Sequence, residues 1–471
     1  MIDTQFYNGA SDNNSYADFD SIKYDKFKPR FKSILWRNYD WLKQIDSNGQ
    51  AREVILDNVQ RTLLCKTPYL GYDAYDCNTC DNWIWLFRHC HSRFCSSCGI
   101  KLQKILATKA EVMCIDVKHR HIVFTIPEEY RQLFRKDRGA LDLLFIASRN
   151  TLMKIFNNSL FNKIKRSKGT ISNPKDNLYL FRNYDNLNVF GEIATLHTFG
   201  RDLKWNPHIH ALVPELIYDS KHNIVKHINH FNYESLRKTW QYEVNRLLLN
   251  RFGNKLKPLI DNSYKKQDNG FYVYAKADIS DKDDDKYTNN INNSKNVKGC
   301  VNYMMRYAGR PVMAENRLIL YDRLSDEVVW HYTDHTTNET IRVYETGKQL
   351  LEKMIIHIPD KHFRMVRYYG FYNNKCHDTL DKINELLGKQ KGKYLSYLEK
   401  KKVLKAKLDK LKFRTQIADT YNRDIFKCKC GGIFEFVYTY NPLERITNDR
   451  EYRSRCIDEV RDMWIRGTGF T

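Results

Sequence analysis

His208 and His210 flank Ile209 in the stretch WNPHIHALVP, Trp205 to Pro214. In a strand, residues two apart share a face, so the two imidazoles project side by side while Ile209 enters the opposite face. Parallel imidazoles on a rigid strand suit a divalent cation. Pro207 fits the start of such a strand, where its missing N–H costs least. The preceding stretch, NVFGEIATLHTFG at 188–200, reads as a second strand, and the short link RDLKWN makes the two antiparallel neighbours. His197, Asp202 and Glu192 are then the candidates for a third ligand. A slip of one residue in register reverses which face each occupies, so all three stay open. Tyr303 and Tyr307, in VNYMMRYAGRP at 301–311, stand four apart and share one face of a helix that Gly309, Arg310 and Pro311 would stop. On their own, such tyrosines are more often core residues.

The chain has 12 cysteines, half of them between Cys65 and Cys98. In a reducing compartment this density points to metal rather than disulfides. CNTC supplies Cys77 and Cys80, and CSSC supplies Cys95 and Cys98, two knuckles spaced to hold one structural Zn²⁺. Such an ion would supply folding energy to a module with little core. Cys65, Cys90, His89 and His91 form a second site or support the first. Cys428 and Cys430, in KCKCGG, have no second pair nearby and carry no zinc assignment. HRHIVF at 119–124 also has two histidines two apart, but Arg120 lies between them, so His119 and His121 read as surface or nucleic-acid contacts.

The elements around these residues belong to a chain of 471 residues, long enough for about three domains. Residues 1–26 are a polar, flexible lead-in. Residues 27–115 read as helices plus the cysteine module. Residues 116–345 alternate strands and helices, with a polar insertion at about 278–297 and strands at 317–321, 328–332 and 340–344 completing the histidine-bearing sheet. Residues 346–471 read as basic and largely helical. The fold class is α+β: a central antiparallel sheet with packed helices, a Cys-rich module before it and a basic helical region after it.

With 78 Lys+Arg against 56 Asp+Glu, the formal charge is +22, spread along the chain. That balance suits a polyanion, and 31 Tyr and 24 Phe offer stacking surfaces for unpaired bases. No apolar run is long enough to span a membrane, and the polar opening residues do not read as an export signal. The expected location is therefore cytoplasmic and nucleoid-associated, with no membrane partner.

Taken together, CKTPYLGYDAYDCNTC, HCHSRFCSSCG, HIVFTIPEE, TLHTFGRDLKWNPHIHALVP, YMMRYAGRP and HIPDKHFRMVRYYGF resemble the HUH transposases of the family named after insertion sequence 91. The resemblance runs from about Cys65 to Phe371. It implies a ferredoxin-like (RRM-like) HUH nuclease sheet after a zinc-binding domain. It also implies His208 and His210 as ligands of Mg²⁺ or Mn²⁺, and Tyr303 and Tyr307 as paired nucleophiles. The substrate would be single-stranded or hairpin DNA at element ends, cleaved and rejoined through a 5′-phosphotyrosine. Arg88, Arg93, Arg201, Lys204, Arg306, Arg310 and Arg367 are the cations expected on that DNA. Phe94 stands where family members often carry a histidine, and the late cysteine motif is contracted. Two other readings remain: a plasmid relaxase or rolling-circle replication initiator, and a non-catalytic zinc-dependent DNA-binding protein. Oligomeric state is open.

Overall fold

The computed structural model describes residues 31–157, 188–228, 231–275, 311–334, 337–391, 395–412, 414–415, 424–442 and 449–465. Residues 1–26, the insertion at about 278–297, Tyr303, Tyr307, Arg306 and Arg310 lie outside the described residues. Two compact units emerge, each assembled from separate stretches of chain. The first is Met1–Leu102, Arg310–Lys361 and Lys407–Thr471; the second is Gln103–Gly309 and His362–Ala406. No helix among the described residues is long and apolar enough to cross a membrane.

The first unit opens with helices Phe31–Arg37, Tyr39–Ser47 and Glu53–Leu64, which bury Ile34, Leu35, Leu42, Val59 and Leu63 at helical spacing. Strands β1 (Tyr72–Cys77) and β2 (Trp83–Phe87) follow and pair antiparallel. WIWLF, between the two cysteine knuckles, forms β2.

The second unit holds the histidines. Its strands are β3 (His119–Phe124), β4 (Asn188–Val189), β5 (Gly191–Phe199), β6 (Trp205–Pro214), β7 (Leu216–Asp219), β8 (Ile224–His227) and the short β9 (Val273–Tyr274). β6 is buried along almost its whole length, which explains a run of apolar residues in place of strict alternation. On one face of this sheet, Phe124 meets Trp240 of helix Tyr233–Phe252 with ring centroids 4.9 Å apart. The Trp240 indole donates to the Thr125 carbonyl at 2.6 Å. Helix Leu141–Phe156 is joined to Tyr233–Phe252 through buried Glu243, which pairs with Lys154 and Arg246 and accepts from Asn150 at 2.9 Å. A carboxylate so deep is tolerable only with such partners.

β10 (Leu318–Asp322), β11 (Glu327–Thr333) and β12 (Thr340–Thr346) form a separate antiparallel sheet in the first unit. They do not complete the histidine-bearing sheet as their sequence position suggested. That role falls to β13 (Val366–Gly370), which pairs with β5 and gives the order β13-β5-β6-β3-β9, antiparallel throughout. At the end of β13 the chain turns through Gly370 at φ +59°, where an added Cβ would lie 1.6 Å from the Phe190 carbonyl. Only glycine fits that approach. The turn delivers Phe371 and Tyr372 into a cluster with Ile193, Leu212, Cys114, Ile115, Leu380 and Ile383. Ile193 and Leu212 are register partners two residues along from the histidine positions, so this core lies on the histidine face.

β14 (Phe434–Tyr440) returns to the first unit and pairs with β1, giving the order β14-β1-β2. The C-terminal third does carry helices at His377–Lys391, Tyr397–Asp409 and Arg450–Ile465. Its strands β13 and β14 nevertheless serve the two sheets rather than a separate region.

Candidate active site and metal centres

β6 is the middle strand of five, and its register against β5 places the three candidates for third ligand. His197 lies directly across from His208, and Thr195 across from His210. Cross-strand partners share a face, so His197, His208 and His210 converge on one side. Between the pairs His197↔His208 and Phe199↔Trp205 the register shifts, a bulge that absorbs Asn206 and Pro207. The bulge turns the Asn206 carbonyl to accept from His208 Nδ1 at 2.6 Å. His210 Nδ1 lies 2.7 Å from His121 Nε2 on β3. Both Nδ1 atoms are therefore engaged, and the two Nε2 atoms face each other at 2.9 Å.

One ring nitrogen from each of His197, His208 and His210 lies within 4.8 Å of the others. Burial pushes the pKa of His208 and of His121 down to about 4 and that of His210 well below the usual histidine range. Burial thus favours the neutral form of His208, His121 and His210, the form in which an imidazole can coordinate a metal. A cation bound to imidazole through bonds of about 2.1 Å needs donors roughly 3–4 Å apart. The donor set, its protonation and its spacing fit a divalent ion.

The other two candidates for third ligand are elsewhere. Glu192 occupies the opposite face of β5, where it is buried and accepts from Ser148 Oγ at 2.9 Å. Burial raises its pKa to about 8. Asp202 sits in the turn before β6, accepting from the Lys204 backbone N–H and pairing with the Lys204 ammonium, both at 3.2 Å. His121, assigned to the surface from sequence, is buried behind His210. His119 is buried too, its Nε2 2.6 Å from the Tyr372 hydroxyl. The missed signal was register: β3 pairs with β6 so that Val123 opposes His210, which puts His121 on the histidine face.

The cysteines group differently from their order in the chain. Cys95 and Cys98 join Cys65 and Cys90, whereas Cys77 and Cys80 join Cys428 and Cys430. The expected quartet of Cys77, Cys80, Cys95 and Cys98 is thus divided, because the ends of β1 and of the hairpin before β14 bring distant thiols closer than the neighbouring knuckle. In the first cluster, Cys98 Sγ lies 3.6 Å from both Cys65 Sγ and Cys90 Sγ. A tetrahedron with metal–sulfur bonds of about 2.3 Å has edges of about 3.8 Å. His89 and exposed His91 lie with ring centroids 6.5 Å apart, and neither is among the four.

The candidate DNA cations also sort. Arg367 pairs with Asp142 and lies 4.4 Å over the Phe145 ring, so its charge is committed within its own unit. Arg88 pairs with Asp73 at 3.3 Å, and the Arg93 Nη1 atom is buried. Lys204 is exposed and Arg201 half-buried, both in the turn that leads into β6. Helix Glu128–Lys136 adds Arg131, whose charge reaches His208, and whose carbonyl accepts from the Trp205 indole at 2.9 Å. Arg138 lies 4.6 Å over the Trp205 ring. Of these cations, Arg131 is the one whose charge acts on the histidine cluster, through His208.

An aromatic face appears on the β14-β1-β2 sheet. Tyr72, Trp83, Trp85, Phe87, Tyr438 and Tyr440 share one side by register. Tyr72 is within 6.1 Å of Phe87 and Tyr438 and 5.3 Å of Tyr440, and Trp83 stacks on Trp85. Tyr438 and Tyr440 are exposed.

Residues 191–379 match the family model described as putative transposase, and residues 37–126 match the transposase zinc-binding domain. The chain is similar to transposases. It is 28% identical over 420 residues, 88% of this chain and 90% of the relative, to the transposase for insertion sequence element IS801 of Pseudomonas savastanoi pv. phaseolicola. It is 23% identical over 368 residues, 72% of this chain and 81% of the relative, to the putative transposase y4qJ of Sinorhizobium fredii. No solved structure matches the chain. The transposase match contains His197, His208 and His210, and the zinc-binding match contains six of the eight clustered cysteines.

Proposed function

We propose that this chain is an HUH-type transposase that cleaves and rejoins single-stranded DNA at the ends of an insertion element, acting at the nucleoid. The observation that carries this reading is the convergence of His197, His208 and His210 on the middle strand and its neighbour in an antiparallel sheet, within chain similar to transposases. A divalent cation held there would polarise a phosphate oxygen and offset charge in the transition state. Three imidazoles favour Mn²⁺ over Mg²⁺ as that ion.

The chain's own groups supply the rest. Asn206 and His121 hold the His208 and His210 rings in the orientation that presents Nε2. Arg131, Arg201 and Lys204 draw a DNA phosphate to the site, and this attraction weakens with salt. Tyr303 or Tyr307, phenols with a reference pKa of about 10, attacks phosphorus through its oxygen. The P–O3′ bond breaks, the 3′ oxygen leaves and takes up a proton, and a 5′-phosphotyrosine remains. A second 3′-OH reverses the step and rejoins DNA without ATP. Paired tyrosines allow two strands to be carried, as rolling-circle strand transfer requires.

Cys65, Cys90, Cys95 and Cys98 hold a structural Zn²⁺ in this reading, and the face of Tyr72, Trp85 and Tyr438 stacks unpaired bases. The test is incubation of labelled single strands from the DNA flanking the gene with the protein, with and without Mn²⁺, followed by a denaturing gel. Covalent adducts that need Mn²⁺ are expected; cleavage to free ends with no adduct overturns the tyrosine mechanism. Transfer between two element ends, rather than nicking at one origin, separates a transposase from a replication initiator.

A further inference from the structure

Cys77, Cys80, Cys428 and Cys430 each offer a sulfur to one small volume, although the two pairs are about 350 residues apart in the chain. Cys77 Sγ lies 3.4 Å from Cys430 Sγ, and Cys80 Sγ lies 3.7 Å from Cys428 Sγ. These separations are near the edges of a metal–thiolate tetrahedron. Simple packing of reduced thiols does not account for them, because Cys430 is exposed and Cys80 half-buried. Sulfur packed only for its apolar character belongs in a core.

The surroundings are built for sulfur that carries negative charge. The Asn82 side-chain amide donates to Cys80 Sγ at 3.2 Å and to Cys428 Sγ at 3.6 Å. The Gly432 backbone N–H donates to Cys430 Sγ at 3.4 Å. Gly431 takes φ +96°, and a Cβ on Gly432 would stand 2.7 Å from Cys77 Sγ and 2.5 Å from Thr79 Oγ1. The Gly-Gly pair lets the backbone wrap this closely around the thiols. The local core is small: Cys77, Ile84, Cys428 and Phe434, with Tyr75, Cys80 and Phe426 against it.

We infer that Cys77, Cys80, Cys428 and Cys430 bind a second zinc ion, which clasps the hairpin before β14 to the end of β1. Four soft thiolates in a tetrahedral arrangement select zinc, each thiol giving up its proton on binding. The clasp has a structural consequence. β14 supplies Tyr438 and Tyr440 to the aromatic face, while Cys77 and Phe434 lie on the reverse side of the same sheet. Zinc at this cluster therefore holds the two halves of that face together. Zinc binding does not depend on the cleavage chemistry, so either can fail without the other.

The test uses the full-length protein purified with zinc and without chelators. Elemental analysis and native mass spectrometry of the wild type should give two thiolate-bound zinc ions per chain, with an all-sulfur first shell at the zinc absorption edge. A Cys428→Ser, Cys430→Ser variant should lose one of them. In the cobalt-substituted variant, thiolate-to-cobalt absorption should fall by about half, and amide exchange in 434–440 should rise. A variant with wild-type zinc content and cobalt absorption overturns the inference. The wild-type measurement decides the matter even where the variant does not fold: one zinc per chain, iron in its place, or a mixed nitrogen and sulfur shell from one cysteine site plus the histidines, each overturns it.

Discussion

His121 Nε2 lies 2.7 Å from His210 Nδ1, across the pairing of β3 with β6. Coordination through His210 Nε2 leaves the proton on Nδ1, and His121 Nε2 is the acceptor that holds it there. Replacing such an outer partner lowers metal affinity about 10–100-fold. We expect His121→Ala to raise the Mn²⁺ concentration for half-maximal cleavage by about that factor, with the rate at saturating Mn²⁺ little changed. An unaltered Mn²⁺ dependence would remove His121 from the site.

The three candidates for third ligand separate cleanly. His197→Ala should abolish Mn²⁺ binding measured by calorimetry, whereas Asp202→Asn and Glu192→Gln should keep it. Loss of binding in Asp202→Asn would mean that the turn before β6, rather than β5, closes the coordination shell.

Glu192 makes stability depend on pH. Burial raises its folded-state pKa to about 8, above the ordinary carboxyl value of 4.5. Between those values the folded state binds more protons than the unfolded state, so stability falls as pH rises through the window. The contribution is fully present below pH 4.5 and gone above about pH 8. At roughly 1.4 kcal/mol per pKa unit, the loss is on the order of a few kcal/mol. Glu192→Gln, which keeps shape and neutrality, should flatten the fall in melting temperature between pH 6 and 9 relative to wild type.

Bases stacked on aromatic side chains contribute about 1–3 kcal/mol each. Trp85→Ala and Tyr438→Ala should therefore each weaken binding of a single-stranded oligonucleotide by about tenfold in a fluorescence anisotropy titration. Duplex binding should change little. Equal losses on single and double strands would show that this face is not a stacking surface.

Sequence reading placed the histidine pair on one strand face because strand periodicity is strict, but Pro207, expected at the strand's start, is the third residue of β6 and lies in its bulge. It could not choose among His197, Asp202 and Glu192, since the bulge opposite Thr198 adjusts register by one residue and no local signal encodes it. His121 was misread because Arg120, taken as a solvent marker, is buried: its guanidinium pairs with Glu215 at 2.6 Å. The cysteine clusters were grouped by nearness in the chain, whereas β1 and β14 join segments from its two ends. β13 was hidden for a related reason: VRYYG has little apolar alternation, and its place beside β5 is set by pairing across more than 160 residues. Tyr303 and Tyr307 are assigned from the family resemblance and from their spacing of one helical turn.

The most direct measurement is covalent capture. Wild-type protein, a His208→Ala, His210→Ala variant and a Tyr303→Phe, Tyr307→Phe variant are each incubated with a labelled single-stranded element end and Mn²⁺, then resolved on a denaturing gel. The account predicts a protein–DNA adduct with wild type alone, and retained oligonucleotide binding in both variants. An adduct formed by the tyrosine double variant would contradict it.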